Sequence, residues 1–454
     1  MNSAEIQPTA VVAPGSDDRR FRWTLLAITL AGLAIRVGWI LASRQHIPFG
    51  GDAGYYHRAA NLLADGRGFI SPYNLVHPRQ AADHPPLYTL WLAIPSLVGL
   101  RSQLAHLVWS AVLGAGTITV IGYAGREIAG RRVGLIAAVI AAIYPNLWVP
   151  DGSLMAETAS MFAVAIALLY AYRYWRAPAW SKLAVVGLAA GAGALTRSEL
   201  VLIVPLMIVP LAVLAPGPTR AQRWRGVAAG TLAALAVMAP WLGYNLSRFH
   251  EPELLSTQFG LTLSSANCDL VWHGYHKSYF DIRCSKAIEP TLPKGLDESQ
   301  QDARHRRVAI RYVRDHSGDI PKVVLARVGA ILGLYHPDYQ ITLDGSFEGR
   351  GMAQARAGAY AFWSLAVASI VGGVVLRRRR TVPVFPLLVP PVMVLITAVT
   401  VYASTRFRAS AEVSLCLLAA VAVESGIRAA LAGRTAENAR NTGADGMDTG
   451  ATPA

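Results

Sequence analysis

The hydrophobic residues of this chain fall into ten runs separated by polar segments. An α-helix needs roughly 20 apolar residues to cross a bilayer, with allowance for tilt, and most of the runs reach that length. The ten runs are residues 23–43, 104–125, 133–149, 153–173, 182–196, 198–215, 226–246, 357–376, 382–403 and 409–428. This pattern predicts an all-α polytopic membrane protein with about ten transmembrane helices.

Two stretches bear on the number of spans. Residues 182–215 have the hydropathy of one long helix, but the polar sequence LTRSE within them favours a break. Residues 320–336 are also apolar, yet counting them as a span would move the run Arg377–Arg380 to the other side of the membrane. We expect 320–336 to be an interfacial amphipathic helix, with Lys322 and Arg327 on its polar side.

Clusters of Arg and Lys set the orientation. The six clusters lie at alternate ends of the predicted spans, so all fall on one side of the membrane, which the positive-inside rule makes cytoplasmic. They are Arg19/Arg20/Arg22, Arg126/Arg131/Arg132, Arg173/Arg176/Lys182, Arg220/Arg223/Arg225, Arg377–Arg380 and Arg428/Arg434. By the same alternation, loops 44–103 and 247–356 face outward. We therefore expect a multi-pass protein of the cytoplasmic membrane with its outer loops on the extracytoplasmic side.

The chain divides around these spans into five segments. Residues 1–22 and 429–454 have few core-forming side chains, so both are predicted to be disordered cytoplasmic ends. The other three segments are a transmembrane module with the first outer loop 44–103, an outer loop region, and the C-terminal transmembrane helices, at residues 23–246, 247–356 and 357–428.

Composition agrees with a membrane protein and argues against a nucleic-acid partner. Of 454 residues, 53% are apolar and only 15% are charged. The net charge of +14 would favour nucleic acid as a partner of a soluble domain. Here the positive residues lie in short clusters between apolar runs, as orientation signals do, so membrane lipids are the expected surroundings.

Two of the three cysteines fall in the second outer loop. Cys268 and Cys284 would face an oxidising compartment, which permits a disulfide, whereas Cys416 lies alone within a span. A bridge between the two loop cysteines is predicted, with two unpaired thiols as the alternative. The aromatic residues between them, including Tyr279, either line an acceptor groove or form the core of the loop.

Ionisable residues cluster on the predicted outer face, where less costly residues could stand. Most are acids and histidines: Asp52, His57, Asp65, Asp83, His84, Asp151 and Glu157. Carboxylates beside a membrane can act as general bases or hold a divalent cation. Asp52 is flanked by glycines and followed by Tyr55 and Tyr56, whose rings could stack on a sugar. An ordinary Gly-Asp turn is the alternative.

Arg197, Arg406 and Arg408 contravene the positive-inside bias. A cation in such short outward turns costs free energy unless it meets an anion. Lipid phosphate is the anion available at that depth, and the guanidinium fork suits it. Snorkelling to headgroups, or an ion pair between Arg197 and Glu199, is the alternative for any single arginine. We expect an extended turn at 404–408, which would point Arg406 and Arg408 at one phosphate.

Five motifs, in this order, resemble those of the C-type glycosyltransferases that use polyprenyl-phosphate sugars. They are GGDAGYYHRAANLLADGRGF, DHPPLYTLWLA, YPNLWVPDGSLMAET, LTRSEL and RFRASAEVSL. The chain is similar to the bacterial branch related to protein O-mannosyltransferases and lipid A aminoarabinose transferases, over most of residues 23–428. The resemblance implies a GT-C fold and inverting transfer of a sugar, hexosyl or pentosyl, to an envelope glycan, lipid or protein acceptor.

The resemblance also implies roles for the outward acids. Asp52 matches the first-loop acid that deprotonates the acceptor hydroxyl, and Glu157 matches a second outward acid. Asp83 and His84 match an acid and a basic residue beside a metal or the lipid phosphate. Many relatives have an acidic pair at the first-loop site, whereas Ala53 follows Asp52 here. A divalent metal, Mg²⁺ or Mn²⁺, is therefore left open as a cofactor.

The same resemblance places basic residues near the donor phosphate. With Tyr55 and Tyr56 added as candidate sugar-stacking rings, the expected substrate-binding set is Tyr55, Tyr56, His84, Glu157, Arg197, Arg406 and Arg408. A polyprenyl phosphate is already an activated leaving group, so no nucleotide-binding loop is required, and the sequence shows no convincing one. A lipid-linked sugar transporter or flippase is the alternative. Its ionisable residues would lie near the bilayer midplane, whereas the unusual charges here lie at the outer ends of the spans.

Overall fold

The computed structural model describes residues 16–44, 49–274 and 277–445. In this part of the chain the regular secondary structure is entirely helical, and loops connect the helices. Its N-terminal helices are α1 (Ser16–Trp39), α2 (Gly51–Ala64), α3 (Leu87–Leu97), α4 (Gln103–Ala129), α5 (Arg131–Ile143), α6 (Pro145–Trp148), α7 (Glu157–Arg176), α8 (Trp180–Ala194), α9 (Val209–Leu214) and α10 (Arg220–Arg248). Its C-terminal helices are α11 (Phe259–Ala266), α12 (Asp269–Trp272), α13 (Ile282–Lys286), α14 (Glu298–Asp315), α15 (Ile320–Ile331), α16 (Pro337–Thr342), α17 (Met352–Arg379), α18 (Phe385–Thr400) and α19 (Ala409–Asp445). Short 3₁₀ or π turns cover Ile40–Arg44, Pro150–Ser153, Ser198–Leu202, Val204–Ile208, Glu289–Thr291, Ser317–Asp319, Leu343–Phe347 and Thr405–Arg408.

Each predicted span coincides with helix. Within the described residues, five helices are long and apolar enough to cross a membrane by length and composition: Asp17–Arg44, Gln103–Ala129, Arg220–Arg248, Met352–Arg379 and Thr405–Thr435. Shorter apolar helices are Leu87–Leu97, Trp180–Ala194, Ser198–Leu214 and Phe385–Thr400. The all-α membrane fold is confirmed, and the count of ten spans stays a prediction.

The two chain ends are more helical than expected. Helix α1 begins at Ser16 and α19 continues to Asp445, so the prediction of disorder is wrong for residues 16–22 and 429–445. Six of residues 429–445 are Ala, which has the highest helix propensity. The rest of both predicted tails, residues 1–15 and 446–454, lies outside the described part.

Glycines let the helices of the core approach closely. A Cβ at Gly187 of α8 would overlap the carbonyl oxygen of Gly230 of α10, and one at Gly191 would lie 3.0 Å from the Ala234 Cα. The glycine-rich stretch around them therefore packs helices, as small residues do in membranes. The largest apolar core lies beside this contact and includes the fully buried Ile118, Val133, Leu168, Leu183 and Leu417.

The region 247–356 is built mainly of short helices, and Ala330 and Ile331 of α15 pack against Val394 and Ala398 of α18. A disulfide joins Cys268 to Cys284. Helix α15 has 12 residues, fewer than a span requires. Lys322 is exposed, as expected. Arg327 is not, because its guanidinium is buried and donates hydrogen bonds to the carbonyl oxygens of Ala266 and Val399, so its placement on a polar face was wrong.

Surface ion pairs gather at one end of the bundle. Arg131 of α5 contacts Asp17 at 3.1 Å and Asp18 at 3.4 Å, and Arg126 of α4 contacts Asp18 at 3.2 Å. The Asp17 and Arg131 side chains remain 71% and 47% exposed. These positions belong to the positive clusters that the sequence assigns to the cytoplasm.

Candidate active site

The centre of the site is the guanidinium of Arg406, which contacts three carboxylates. Its Nε donates to Glu157 Oε1 at 2.7 Å, its Nη2 to Asp52 Oδ2 at 2.8 Å, and its Nη1 to Glu348 Oε2 at 3.2 Å. The Arg406 side chain is only 13% exposed. Residues about 350 positions apart in the chain thus meet at one buried cation.

A second arginine completes the cluster. Arg197 donates from Nη1 to Glu157 Oε1 at 2.8 Å and from Nε to Glu199 Oε1 at 2.6 Å. Its guanidinium also lies over the Phe407 ring, 4.7 Å from the centroid. Glu157 is therefore shared between two arginines and is only 1% exposed. The ion pair of Arg197 with Glu199, which was the alternative to phosphate binding, exists as one part of this network.

Asp52 is the most accessible acid of the cluster. It lies in the first turn of α2, which begins at Gly51 with a φ of +53° that favours glycine. Its side chain is 31% exposed, and its Oδ1 lies 3.6 Å from His84 Nε2. Burial opposes ionisation, but the charge of Arg406, and then of His84, outweighs it and holds the Asp52 pKa well below its usual range. The carboxyl is therefore ionised at neutral pH.

The local sequence explains how the other charges are placed. Glu157 is the first residue of α7, where the helix dipole favours a negative charge. Arg406 lies in the 3₁₀ turn Thr405–Arg408 that leads into α19. Both residues therefore lie at the same end of neighbouring long helices, which carries them to one depth.

Arg408 does not join Arg406. The turn is helical and not extended, so residues two apart point in different directions. Arg408 instead donates to the Ile331 carbonyl at 3.2 Å, contacts Glu412 at 3.3 Å and lies over the Phe362 ring. The prediction that both arginines face one phosphate is wrong, because the helix start reaches back to residue 405.

Tyr55 and Tyr56 are not exposed platforms. They are 3% and 2% exposed. Each ring lies 4.9 Å from the His84 ring, and Tyr56 also packs against Tyr88. Their expected stacking on a sugar is therefore wrong, since their faces are taken by protein. The two rings instead pack against His84 and help to hold its imidazole in place.

Asp83 lies beside this centre in a different set of contacts. Its Oδ1 accepts from Gln258 Nε2 at 3.1 Å. The neighbouring Glu298 accepts from the Ala82 N–H at 3.0 Å and from the Thr257 hydroxyl at 2.9 Å. Burial, and then the charge of Asp83, raises the pKa of Glu298 to about 8. Glu298 thus holds the backbone that carries Asp83 and His84.

The residues present do not fit a divalent metal. In the described ranges, no group of three or more His, Cys, Asp or Glu side chains is arranged to hold a metal ion. The acids of the central cluster are divided by the Arg406 guanidinium, which takes an oxygen from each. No step below is therefore routed through Mg²⁺ or Mn²⁺, and a metal role for Asp83 stays a prediction.

The other outward charges pair elsewhere. Asp65 contacts Arg101 at 2.5 Å, and Asp151 is buried against Arg36 at 2.7 Å. His57 meets His106, with 3.1 Å between their Nδ1 atoms. These residues therefore do not belong to the central cluster.

Glu348 is the member of the cluster that sequence reasoning missed. It lies in GSFEGR, just before α17. An acid between glycines beside a long apolar run is the same signal that marked Asp52. Tyr279, from the loop between the cysteines, donates its hydroxyl to Glu348 Oε1 at 2.8 Å.

Comparisons with known proteins bear on the family resemblance and the fold. Residues 83–244 match the family model for dolichyl-phosphate-mannose-protein mannosyltransferases. A comparison with curated protein sequences finds no match.

Among solved structures, one match is the archaeal oligosaccharyltransferase AglB from Archaeoglobus fulgidus, in complex with an inhibitory peptide and a dolichol-phosphate. The TM-score is 0.55 and the sequence identity 14%, and the match covers 94% of this chain and 52% of that chain. The oligosaccharyltransferase from the same organism, tethered with an acceptor peptide containing the NVT sequon, matches with a TM-score of 0.56 and 16% identity over 92% and 51% of the two chains. This chain thus spans about half the length of those proteins.

ArnT from Cupriavidus metallidurans in the apo state also matches, at 14% identity over 90% of this chain and 78% of that chain, with a TM-score of 0.39. The family match and the likeness to AglB together confirm the resemblance, and the chain has the fold of the GT-C glycosyltransferases.

Proposed function

We propose that the protein is an inverting glycosyltransferase that moves a sugar from a polyprenyl-phosphate donor to an envelope glycan, lipid or protein acceptor on the outer face of the cytoplasmic membrane. The observation that carries the proposal is Asp52, an ionised and partly exposed carboxylate held against a buried arginine cluster. The family match to dolichyl-phosphate-mannose enzymes, and the dolichol-phosphate bound to AglB, support a lipid-phosphate donor.

In this reaction Asp52 Oδ1 takes the proton of the acceptor hydroxyl. The acceptor oxygen forms a bond to the anomeric carbon while the bond from that carbon to the phosphate oxygen breaks, and the electron pair leaves with the polyprenyl phosphate. One displacement at the anomeric carbon inverts its configuration. Asp52 is placed for this role because Oδ2 is held by Arg406 while Oδ1 faces the side of His84.

The arginines have the complementary task. Negative charge grows on the leaving phosphate as the bond breaks, and preorganised cations in a site shielded from water stabilise such charge strongly. Arg406 and Arg197 are 13% and 12% exposed, and carboxylates on their inner side fix their positions. Glu157 acts as a positioning residue because it joins the two guanidinium groups.

A direct assay tests the proposal. Purified protein in lipid nanodiscs would be incubated with polyprenyl-phosphate donors that carry labelled hexoses or pentoses, together with an envelope fraction as acceptor. We expect label on the acceptor and free polyprenyl phosphate from at least one donor, and neither product from Asp52→Asn. If the donor instead crosses the bilayer of reconstituted vesicles chemically unchanged, the protein is a flippase and the proposal is wrong.

A further inference from the structure

Carboxylates engage every nitrogen of the Arg406 guanidinium. Nε, Nη1 and Nη2 each donate one N–H to a carboxylate oxygen, which leaves one further N–H on each of Nη1 and Nη2. Across the cluster, four carboxylates face two guanidinium groups, so negative charge is in excess: Asp52, Glu157, Glu199 and Glu348 against Arg197 and Arg406. A phosphate added to this set would meet repulsion from like charges at close range. Displacement of one carboxylate would remove this repulsion when the donor phosphate reaches Arg406.

Two of the three carboxylates on Arg406 are poor candidates for leaving. Glu157 is 1% exposed, lies at the start of a long helix and is held by both arginines. Asp52 is required as the base beside the same arginine. Glu348 remains, and its contact with Arg406 is the longest of the three at 3.2 Å.

The backbone around Glu348 suits a side chain that exchanges. It follows the single π turn Leu343–Phe347 and precedes two glycines with left-handed φ, +64° at Gly349 and +87° at Gly351. Glycine adopts such angles without the usual penalty and allows alternatives. The neighbouring Phe347 is 66% exposed, whereas the Glu348 side chain points inward and is 6% exposed.

We propose that the Glu348 carboxylate occupies the place of the donor phosphate on Arg406 and is exchanged for it when the lipid binds. The inference rests on the function proposed above. Arg406 Nη1 and the Tyr279 hydroxyl, which now donate to opposite oxygens of Glu348, then donate to phosphate oxygens. The exchange leaves the number of anions in contact with Arg406 unchanged, since the phosphate replaces the Glu348 carboxylate.

The exchange also accounts for Arg44. Its Nη1 donates to the Gly349 carbonyl at 2.6 Å and its Nε to the Gly152 carbonyl at 2.9 Å. The loop is thereby tied to the turn before α7 at the residue after Glu348. The Glu348 side chain can therefore turn away from Arg406 while the loop remains attached to the bundle.

The experiment measures the binding of undecaprenyl phosphate, without a sugar, to protein in nanodiscs. We expect Glu348→Gln to bind it at least about 5-fold more tightly than the wild type, the lower end of usual coupling between competing interactions. Adding Tyr279→Phe to Glu348→Gln should reverse part of the gain. Asp338→Asn, an exposed acid of the preceding helix, serves as the matched control and should leave the affinity unchanged.

The outcomes separate the two proposals. If the wild type does not bind undecaprenyl phosphate, the proposed function is wrong. If the wild type binds it and a folded Glu348→Gln binds equally or more weakly, the exchange is wrong while the function stands. If Glu348→Gln does not fold, Glu348→Asp replaces it, because this variant keeps the charge but shortens the reach to Arg406. Glu348→Asp should bind undecaprenyl phosphate more tightly than the wild type. Unchanged or weaker binding would overturn the exchange.

Discussion

The two ends of the helical bundle both carry opposite charges in contact, but in different surroundings. At the end with Asp17 and Arg131, the paired side chains are 71% and 47% exposed. At the end with Glu157 and Arg406, they are 1% and 13% exposed. Exposed pairs contribute about 0–1 kcal/mol, whereas removing one partner of a buried pair costs roughly 3–5 kcal/mol.

This difference in burial indicates that the charged residues at the two ends have different roles. Charges at the exposed end interact with water and can orient the chain without fine placement. Charges at the buried end have been taken out of water at a high desolvation cost, and a cluster with more acids than bases does not repay it through pairing alone. Such clusters are characteristic of functional sites.

Asp52→Asn gives the largest expected effect. The amide keeps the shape of the side chain but cannot take the acceptor proton, so turnover should fall by ~10²–10⁴-fold. Turnover with the best donor of the panel measures it, and undecaprenyl phosphate should still bind. Asp65→Asn is the matched control, because Asp65 belongs to the same loop but pairs with Arg101 at a surface where it is 41% exposed. Turnover above about a tenth of wild type would remove Asp52 as the base.

Glu157→Gln tests the energetic side of the comparison. The variant leaves Arg197 and Arg406 together without their shared carboxylate, so the free energy of unfolding should fall by about 3–5 kcal/mol. Asp17→Asn, at the exposed end, should change it by less than about 1 kcal/mol. Thermal unfolding in detergent, followed by tryptophan fluorescence, measures both. Equal shifts for the two variants would show that burial does not distinguish the ends.

Arg406→Lys tests geometry at constant charge. An ammonium cannot span three carboxylates, so kcat/KM should fall by about 10–100-fold, the equivalent of ~1.5–3 kcal/mol for one lost hydrogen bond to a charged group. Arg131→Lys at the exposed end should be unchanged. Arg408→Lys should lower stability without weakening undecaprenyl phosphate binding, because Arg408 contacts Ile331, Glu412 and the Phe362 ring and not the carboxylates on Arg406. Similar kinetics for Arg406→Lys and wild type would reduce Arg406 to a structural ion pair.

The sequence predicted the fold well because hydropathy and charge act over whole helices. The long apolar runs became helices, and the alternation of positive clusters correctly separated the two ends. Asp52, His84, Glu157, Arg197 and Arg406 were predicted because they are ionisable residues near the predicted outer ends of the spans, and the structure brings them together. Their meeting at one guanidinium could not be predicted, since it depends on how distant helices pack.

The misplaced residues have equally physical reasons. Whether a side chain two residues from Arg406 points the same way depends on where α19 begins, and helix starts are uncertain by one or two residues. The exposure of Tyr55 and Tyr56 depends on His84, 28 or more positions later in the chain. Glu348 lies in a long loop with no periodicity, where only its flanking glycines mark it.

The smallest expected effect on turnover concerns Glu298, which lies beside Asp83 at the buried end. Burial and the charge of Asp83 raise the pKa of Glu298 to about 8. In the unfolded chain a glutamate titrates near about 4.3. Between these values the folded protein holds a proton that the unfolded chain has released, so its stability decreases as pH rises through this window and levels off above about 8.

Glu298→Gln cannot ionise, so its unfolding temperature relative to wild type should rise between pH 5 and pH 8. Its amide can still accept from the Ala82 N–H and can donate toward Asp83, so the backbone that carries His84 should stay in place and turnover at pH 6 should be close to wild type. Asp17→Asn, 71% exposed at the other end, should show no such dependence. A constant difference between Glu298→Gln and wild type across this range would mean that Glu298 is ionised throughout, and that burial and the charge of Asp83 raise its pKa less than the structure indicates.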